Sequence, residues 1–248
     1  GPYTLDRTFQ AYVYLGGPDG DYDAKRRRTL TTGPSCAYVM ADLDLDGYVD
    51  LVFTTHEGLR IFPGGPDGPQ EGRFVDLPTP IVGVQCLMVA DFNRDGYLDL
   101  LALGTTYDDK PETLAHASTI FYGSADGFSV ERSDNLPTAS FGEGNLADLN
   151  RNGYLDIFTG DRRGGVMIFV GGPEGYSLER TVLIPIDTGW VGSIVSADIN
   201  EDGWLDLIVT IMGHYTRKPS SFQIFYGGPE GFSHARSQFY AGNYSPGA

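Results

Sequence analysis

Four nine-residue stretches of this chain put oxygen-bearing side chains at positions 1, 3, 5 and 9 and a glycine at position 6. They are Asp42 to Asp50 (DLDLDGYVD), Asp91 to Asp99 (DFNRDGYLD), Asp148 to Asp156 (DLNRNGYLD) and Asp198 to Asp206 (DINEDGWLD). A hard cation such as Ca²⁺ takes six to eight oxygens, and a turn with this spacing wraps the chain around one. The first copy supplies Asp42, Asp44, Asp46 and Asp50, and the second Asp91, Asn93, Asp95 and Asp99. The third supplies Asp148, Asn150, Asn152 and Asp156, and the fourth Asp198, Asn200, Asp202 and Asp206. Position 7 is aromatic in every copy (Tyr48, Tyr97, Tyr154, Trp204) and adds a backbone carbonyl. The spacing therefore predicts about four Ca²⁺ ions as cofactors. A metal-free Asx-rich hairpin turn is the competing reading of any one copy; four matching copies argue against it.

These are not EF-hands, which close with a bidentate Glu at position 12 between helices. Position 12 here is Phe53, Ala102, Thr159 or Val209. A β-rich apolar run comes after each loop, such as Leu100-Leu101-Ala102-Leu103, and a strand-like stretch comes before it, such as Ile194-Val195-Ser196-Ala197. Each loop is thus expected to join two strands.

The elements that must hold the loops recur as well. An apolar strand ending in a glycine turn appears five times, with first glycines Gly16, Gly64, Gly123, Gly171 and Gly227, at steps of 48, 59, 48 and 56 residues. The loops begin at residues 42, 91, 148 and 198, at steps of 49, 57 and 50. A period near 50 residues with about four strands is the signature of a propeller blade. Each repeat reads as strand A, acidic loop, strand B, a variable loop, strand C, the glycine turn and strand D, with no helical periodicity. The predicted fold class is all-β, a propeller of four-stranded blades in a single domain over residues 1–248. Tyr3 to Arg7 aligns with strand B of a fifth blade, and the stretch to Pro246 can supply its strand A. A five-bladed ring closed by both termini is the favoured reading, and it would hide sheet edges. A piece of a longer propeller, or two chains completing each other, are the alternatives. Gly1-Pro2 has the look of a protease-cleavage remnant.

The order Ala-Asp-x-[Asp/Asn]-x-[Asp/Asn]-Gly-x-x-Asp-[Leu/Ile], and after it [Ile/Val]-[Phe/Tyr]-x-Gly-Gly-Pro, resembles the FG-GAP/VCBS repeats. Those repeats form the propeller of integrin α-subunits and of many bacterial, fungal and algal surface proteins and lectins. The resemblance covers almost the whole chain. It implies a calcium-stabilised propeller with the metal loops on one rim, and it implies no single ligand.

Composition agrees with bound cations. The net charge is −16, from 17 Lys and Arg against 33 Asp and Glu. Twelve carboxylates sit at ligand positions, so four Ca²⁺ ions would halve the net charge. The acidity argues against nucleic acid, whose binders carry basic stripes, and against an anionic membrane. The loops carry four, three, two and three ligand-position carboxylates, and ligand charge helps set affinity. Asp148 to Asp156 is therefore expected to be the weakest site. No apolar run is long enough for membrane insertion. Loops of this kind suit calcium-rich surroundings, which predicts a secreted or cell-surface protein. Cys36 and Cys86 are read as two buried free thiols.

The rim away from the acidic loops carries the sequences that differ most between repeats, which suits binding. Candidate ligand residues there are His56, Tyr107, Asp161, Arg162, Trp190, His214 and Tyr215, with Phe141, Glu143 and Asp187 in neighbouring loops. Trp190 is equally readable as packing between blades, and Asp161 with Arg162 as a solvated ion pair. Trp204 is a further candidate beside its metal. Three functions compete: a carbohydrate-binding module, a protein-adhesion module of the integrin kind, and a glycoside-active enzyme. The enzyme would need paired carboxylates at a set separation, and Glu57, Glu143, Asp161 and Asp187 are the available acids. The first, non-catalytic reading is favoured, with a glycan or an extracellular protein as partner. The chain is expected to be a monomer, or a self-completing oligomer if the fifth blade is open.

Overall fold

The structure is a computed structural model that describes residues 9–33, 37–55, 57–79, 84–104, 118–136, 140–161, 164–186, 189–212 and 221–242. Within these residues lie 18 strands and two short 3₁₀ turns, Leu178–Arg180 and His234–Arg236. The strands form four four-stranded sheets and one pair. The pair is β1 (Gln10–Gly16) with β2 (Tyr22–Thr31). The first full sheet runs β3 (Tyr38–Ala41), β4 (Asp50–Thr54), β5 (Gly58–Phe62), β6 (Val75–Pro78). The second runs β7 (Val84–Ala90), β8 (Asp99–Gly104), β9 (Ser118–Phe121), β10 (Ser133–Leu136). The third is β11 (Ser140–Ala147), β12 (Asp156–Asp161), β13 (Gly165–Phe169), β14 (Thr181–Pro185). The fourth is β15 (Trp190–Ala197), β16 (Asp206–Met212), β17 (Ser221–Phe225), β18 (Ser237–Tyr240).

Each full sheet is a four-stranded meander in sequence order, the form of a propeller blade. The acidic loop joins its first and second strands and the glycine turn its third and fourth, as the spacing predicts. Strands β4, β8 and β12 are buried at every residue. Burial on both faces is why these stretches read as unbroken apolar runs rather than alternating ones.

The chain forms two compact units, Gly1–Ala102 with Thr119–Asp134, and Leu103–Ser118 with Asn135–Ala248. In the first, the β3–β6 sheet buries both faces. Leu51, Phe53 and Phe62 pack with Leu30 of β2 on one side. Val52, Leu59, Ile61 and Leu77 pack with Leu87, Leu100, Ala102 and Phe121 on the other. In the second unit, Phe158, Val166, Ile168 and Ile184 meet Ile194, Leu207, Val209 and Phe225 across two sheets. Burying one such side chain contributes about 1.5–3 kcal/mol, so sheet-on-sheet contact is the main cohesive force in each unit.

Strand A starts earlier than the sequence suggests in two blades. Phe141, Glu143 and Trp190, expected in loops, lie within β11 and β15. Both strands change register near their start, between Ser140 and Gly144 and between Val191 and Ser193. A bulge of this kind lets a strand continue past the point where its alternation breaks. Asp161 is likewise the last residue of β12 and only 3% exposed, so its carboxyl is buried and not on the solvated surface. Cys86 is half-buried rather than buried. Tyr3 to Arg7, Cys36, Asp187 and the stretch from residue 243 lie outside the described residues.

Candidate metal centre

All four acidic loops share one wiring. The position-1 carboxylate accepts the N–H of position 5 and of the glycine at position 6, as in Asp46 N to Asp42 Oδ1 at 3.0 Å and Gly47 N to Asp42 Oδ2 at 2.9 Å. Asp91, Asp148 and Asp198 repeat both bonds. The position-3 Oδ1 also accepts the position-5 N–H, and the position-5 Oδ1 accepts the position-7 N–H at 2.8–2.9 Å. These bonds gather the side-chain oxygens of positions 1, 3 and 5 onto the backbone N–H groups of the turn.

Two positions in each loop take left-handed backbone. Gly47, Gly96, Gly153 and Gly203 do so at φ 86–92°. The other is position 4, held by Leu45, Arg94, Arg151 and Glu201 at φ 58–64°. A non-glycine residue there costs on the order of 1 kcal/mol, which the surrounding hydrogen bonds hold in place.

The position-9 aspartate links three elements. Asp50 Oδ2 accepts Leu43 N at 2.8 Å, and its Oδ1 accepts Gly64 N of the glycine turn at 2.6 Å. Asp99 joins Phe92 to Gly123, Asp156 joins Leu149 to Gly171, and Asp206 joins Ile199 to Gly227. All four are at most 2% exposed. The glycine is required by the same contact. A Cβ on Gly64 would lie 2.7 Å from the Val49 carbonyl oxygen, and Gly123, Gly171 and Gly227 are closer still to Leu98, Leu155 and Leu205. The sequence marks these glycines as turn formers; the structure makes them the seat of the acidic loop.

Arginine completes the turn from outside, a repeat element that the motif spacing alone does not single out. Arg180 donates to Gly175 O, Arg236 to Gly227 O, and Arg132 to Gly127 O. Each lies nine residues beyond its first turn glycine, a spacing visible in the sequence. In the second unit, Arg151 also lies over the Trp204 ring at 4.6 Å, so one loop reaches the next.

The donor set fits a hard cation. Oxygens of Asp42, Asp44 and Asp50 lie within 4.8 Å of one another, about twice a typical Ca–O distance of ~2.4 Å. Among the described residues this is the one group in which three carboxylates converge so closely. Burial pushes the Asp50 and Asp156 carboxyls up from their ordinary values and Asp99 up to about 6, against the two N–H bonds each receives. Neighbouring carboxylates, Asp44 and Asp46 for Asp50, Asp95 and Asp91 for Asp99, push the same way. Exposed Asp202 is held below its usual range, first by the Trp204 N–H.

These shifts make stability depend on pH. A raised folded-state value means that protonated Asp99 favours the fold: the contribution is full below the ordinary carboxylate range and is lost as pH rises through about 6. The whole swing at Asp99 is about 3 kcal/mol. Cation-free protein is therefore expected to melt several degrees higher at pH 5 than at pH 7.5. Saturating calcium shrinks or reverses that difference, because protons then compete with the cation. Melting curves after metal stripping check this, and a fall on acidification of the stripped protein would contradict it.

Of the ligand candidates, Trp190 is half-buried at the start of β15, opposite Met212, and Asp161 is buried beside Gly165. His56, Tyr107, Arg162, His214 and Tyr215 lie outside the described residues. Within the first unit, the β4–β5 hairpin end carries a cavity of about 300 Å³ lined by Thr32, Thr55, Glu57, Arg60, Asp76 and Pro78, among others. Arg60 is fixed there by a bidentate pair with Asp76 at 2.7 and 2.8 Å and lies 4.0 Å over the Phe74 ring.

The model of the FG-GAP-like repeat family matches residues 42–102 and 148–209, each match spanning two acidic loops. The chain carries FG-GAP-like repeats. No curated protein matches it. Among 41 similar solved chains is an Agrocybe aegerita lectin described for specific recognition of non-reducing terminal N-acetylglucosamine. It has 19% identity and a TM-score of 0.46, over 86% of this chain and 53% of that one. The chain thus spans about half the length of that lectin, and what the lectin recognises is a property of that protein.

Proposed function

We propose that this FG-GAP-like chain is a calcium-stabilised, non-catalytic binding module that works outside the cell, with carbohydrate as its ligand class. The observation that carries the calcium part is the convergence of Asp42, Asp44 and Asp50, within a wiring that all four loops share and that seats each on a buried aspartate. When bound, the cation supplies the positive charge that these oxygens lack. The ligand residues would be Asp42, Asp44, Asp46 and Asp50 and their counterparts, with the position-7 carbonyl. A closed ring of five blades in one domain, monomeric, is the assembly that fits the repeat count. No helix among the described residues is long and apolar enough to cross a membrane.

The carbohydrate part is supported by the hydroxyl-bearing cavity at Thr32 and Thr55, which Glu57 and the paired Arg60 and Asp76 also line. Its volume is at the small end of ligand clefts, suited to one sugar ring. A glycan array probed with the purified chain in millimolar calcium, then in chelator, tests this. Calcium-dependent binding to one sugar class, weakened by Glu57→Ala, is expected. A blank array from a protein that still melts cooperatively in calcium would overturn it. The integrin-like reading, a single protein partner, draws on the dissimilar variable loops (His56 to Gly58 against Gly104 to Glu112, for example). A pull-down would then replace the array.

A further inference from the structure

The third loop closes itself by a bond that the other three do not show. Its position-5 residue is Asn152, whose Oδ1 accepts the Tyr154 N–H at 2.8 Å. That donor fixes which way the carboxamide faces. Its Nδ2 therefore points outward and donates to Gly171 O, the turn glycine, at 2.9 Å. Position 5 elsewhere is Asp46, Asp95 or Asp202, which has no hydrogen to donate when ionised. In the second and fourth loops the second oxygen of that aspartate instead accepts from Asn93 or Asn200, at 2.9 and 3.0 Å.

The charge shows the same division. The third loop has two ligand-position carboxylates, Asp148 and Asp156. Asp156 receives N–H bonds from Leu149 at 2.9 Å and Gly171 at 2.8 Å. Asp148 receives those of Asn152 and Gly153. Both negative charges thus already face backbone donors. In the first loop three carboxylates converge with no carboxamide between them. A cation relieves strong repulsion there and little in the third loop.

We infer that the Asn152–Gly171 hydrogen bond takes the place of a cation in the third loop, so that the chain holds calcium in its first, second and fourth loops only. Asn152 ties the loop to the glycine turn as a shared ion would, through a carboxamide that brings no charge to position 5. This goes beyond unequal affinity: the third loop is complete without metal. It rests on the calcium reading above.

Calcium bound per chain, measured by equilibrium dialysis of the full chain at millimolar free calcium, tests the inference. About three ions are expected for the natural sequence and about four for Asn152→Asp, which exchanges the donor for a charged oxygen. Asn152→Ala is the companion variant. It should bind three ions, yet melt several degrees lower than the natural sequence in chelator, where the hydrogen bond alone holds the loop. Four ions in the natural sequence would overturn the inference. So would Asn152→Asp staying at three, or Asn152→Ala melting unchanged in chelator. No bound calcium in either the natural chain or Asn152→Asp would overturn the calcium reading itself, an outcome distinct from four in the natural chain.

Discussion

In chelator the chain is expected to melt about 10 °C lower than in millimolar calcium. A cation present at about ten times its dissociation constant stabilises the fold by about 1.4 kcal/mol per site. Three such loops give about 4 kcal/mol, and a chain of this size loses about 2–4 °C per kcal/mol. The dissociation constant assumed, about 0.1 mM, is ordinary for extracellular calcium modules. The net charge of −16 works in the same direction. Without a cation, Asp42, Asp44, Asp46 and Asp50 crowd one turn, and the second and fourth loops each keep three ligand-position carboxylates. Adding salt in place of calcium should recover a small part of the loss, because screening acts on exposed charges and not on buried Asp50 and Asp99. Calorimetry in calcium, in chelator and in chelator with added salt separates these contributions. A melting temperature indifferent to chelator would mean that the loops are ordinary turns, held by their own hydrogen bonds.

The acidic loops and the blade period are legible in the sequence because each repeats, and repetition separates a pattern from chance. Interactions between residues far apart in the chain are not. The ninth aspartate looks like one more ligand. Only in three dimensions do its oxygens meet Leu43 N and Gly64 N, seven and fourteen residues away. Left-handed backbone at position 4 is invisible because Leu45, Arg94, Arg151 and Glu201 are not residues that advertise it. The arginine after each turn does leave a signal, since Arg132, Arg180 and Arg236 share one spacing from Gly123, Gly171 and Gly227. The signal is weak because arginine on an outer strand also reads as solvated surface. Trp190 and Phe141 read as loop residues for a different reason. A bulge breaks the two-residue alternation that marks a strand, so the first residues of β11 and β15 look irregular.

The loop and the glycine turn behave as one mechanical piece. Asp206 holds Gly227 N, Arg236 holds Gly227 O, and the Leu205 carbonyl sits against the glycine Cα. A cation on the loop therefore bears on the turn before the outer strand, and through it on that strand's position. This explains why an Asp-rich loop and a glycine turn 14 to 24 residues later recur together in the chain. The buried aspartate needs both N–H donors, since an unpaired buried carboxylate costs several kcal/mol.

Replacing that glycine should therefore be among the most damaging small changes available. Gly171→Ala places a methyl group against the Leu155 carbonyl, with Tyr154 Cβ at 3.1 Å, and both belong to a loop pinned by Asp156. Neither neighbour is the flexible end of a side chain, so the strain has no cheap outlet. Overpacking of this kind costs about 3 kcal/mol, or about 9 °C in a chain of this size. The fifth glycine turn supplies the control. Gly16 is the last residue of β1 and holds the matching place in the repeat. Among the described residues, a Cβ there meets only Tyr22 Cε1, at an ordinary 3.8 Å. Gly16→Ala should shift stability by less than about 0.5 kcal/mol. Gly227→Ala adds a second arm, because its loop is one proposed to hold calcium: it should lose stability as Gly171→Ala does and also bind one ion fewer. Equal, small effects at Gly16, Gly171 and Gly227 would show that the turn yields easily and that the aspartate bridge does not fix the loop. Loss confined to Gly171 and Gly227, with calcium lost only at Gly227, would place the seat of each loop on the glycine and the cation on top of it.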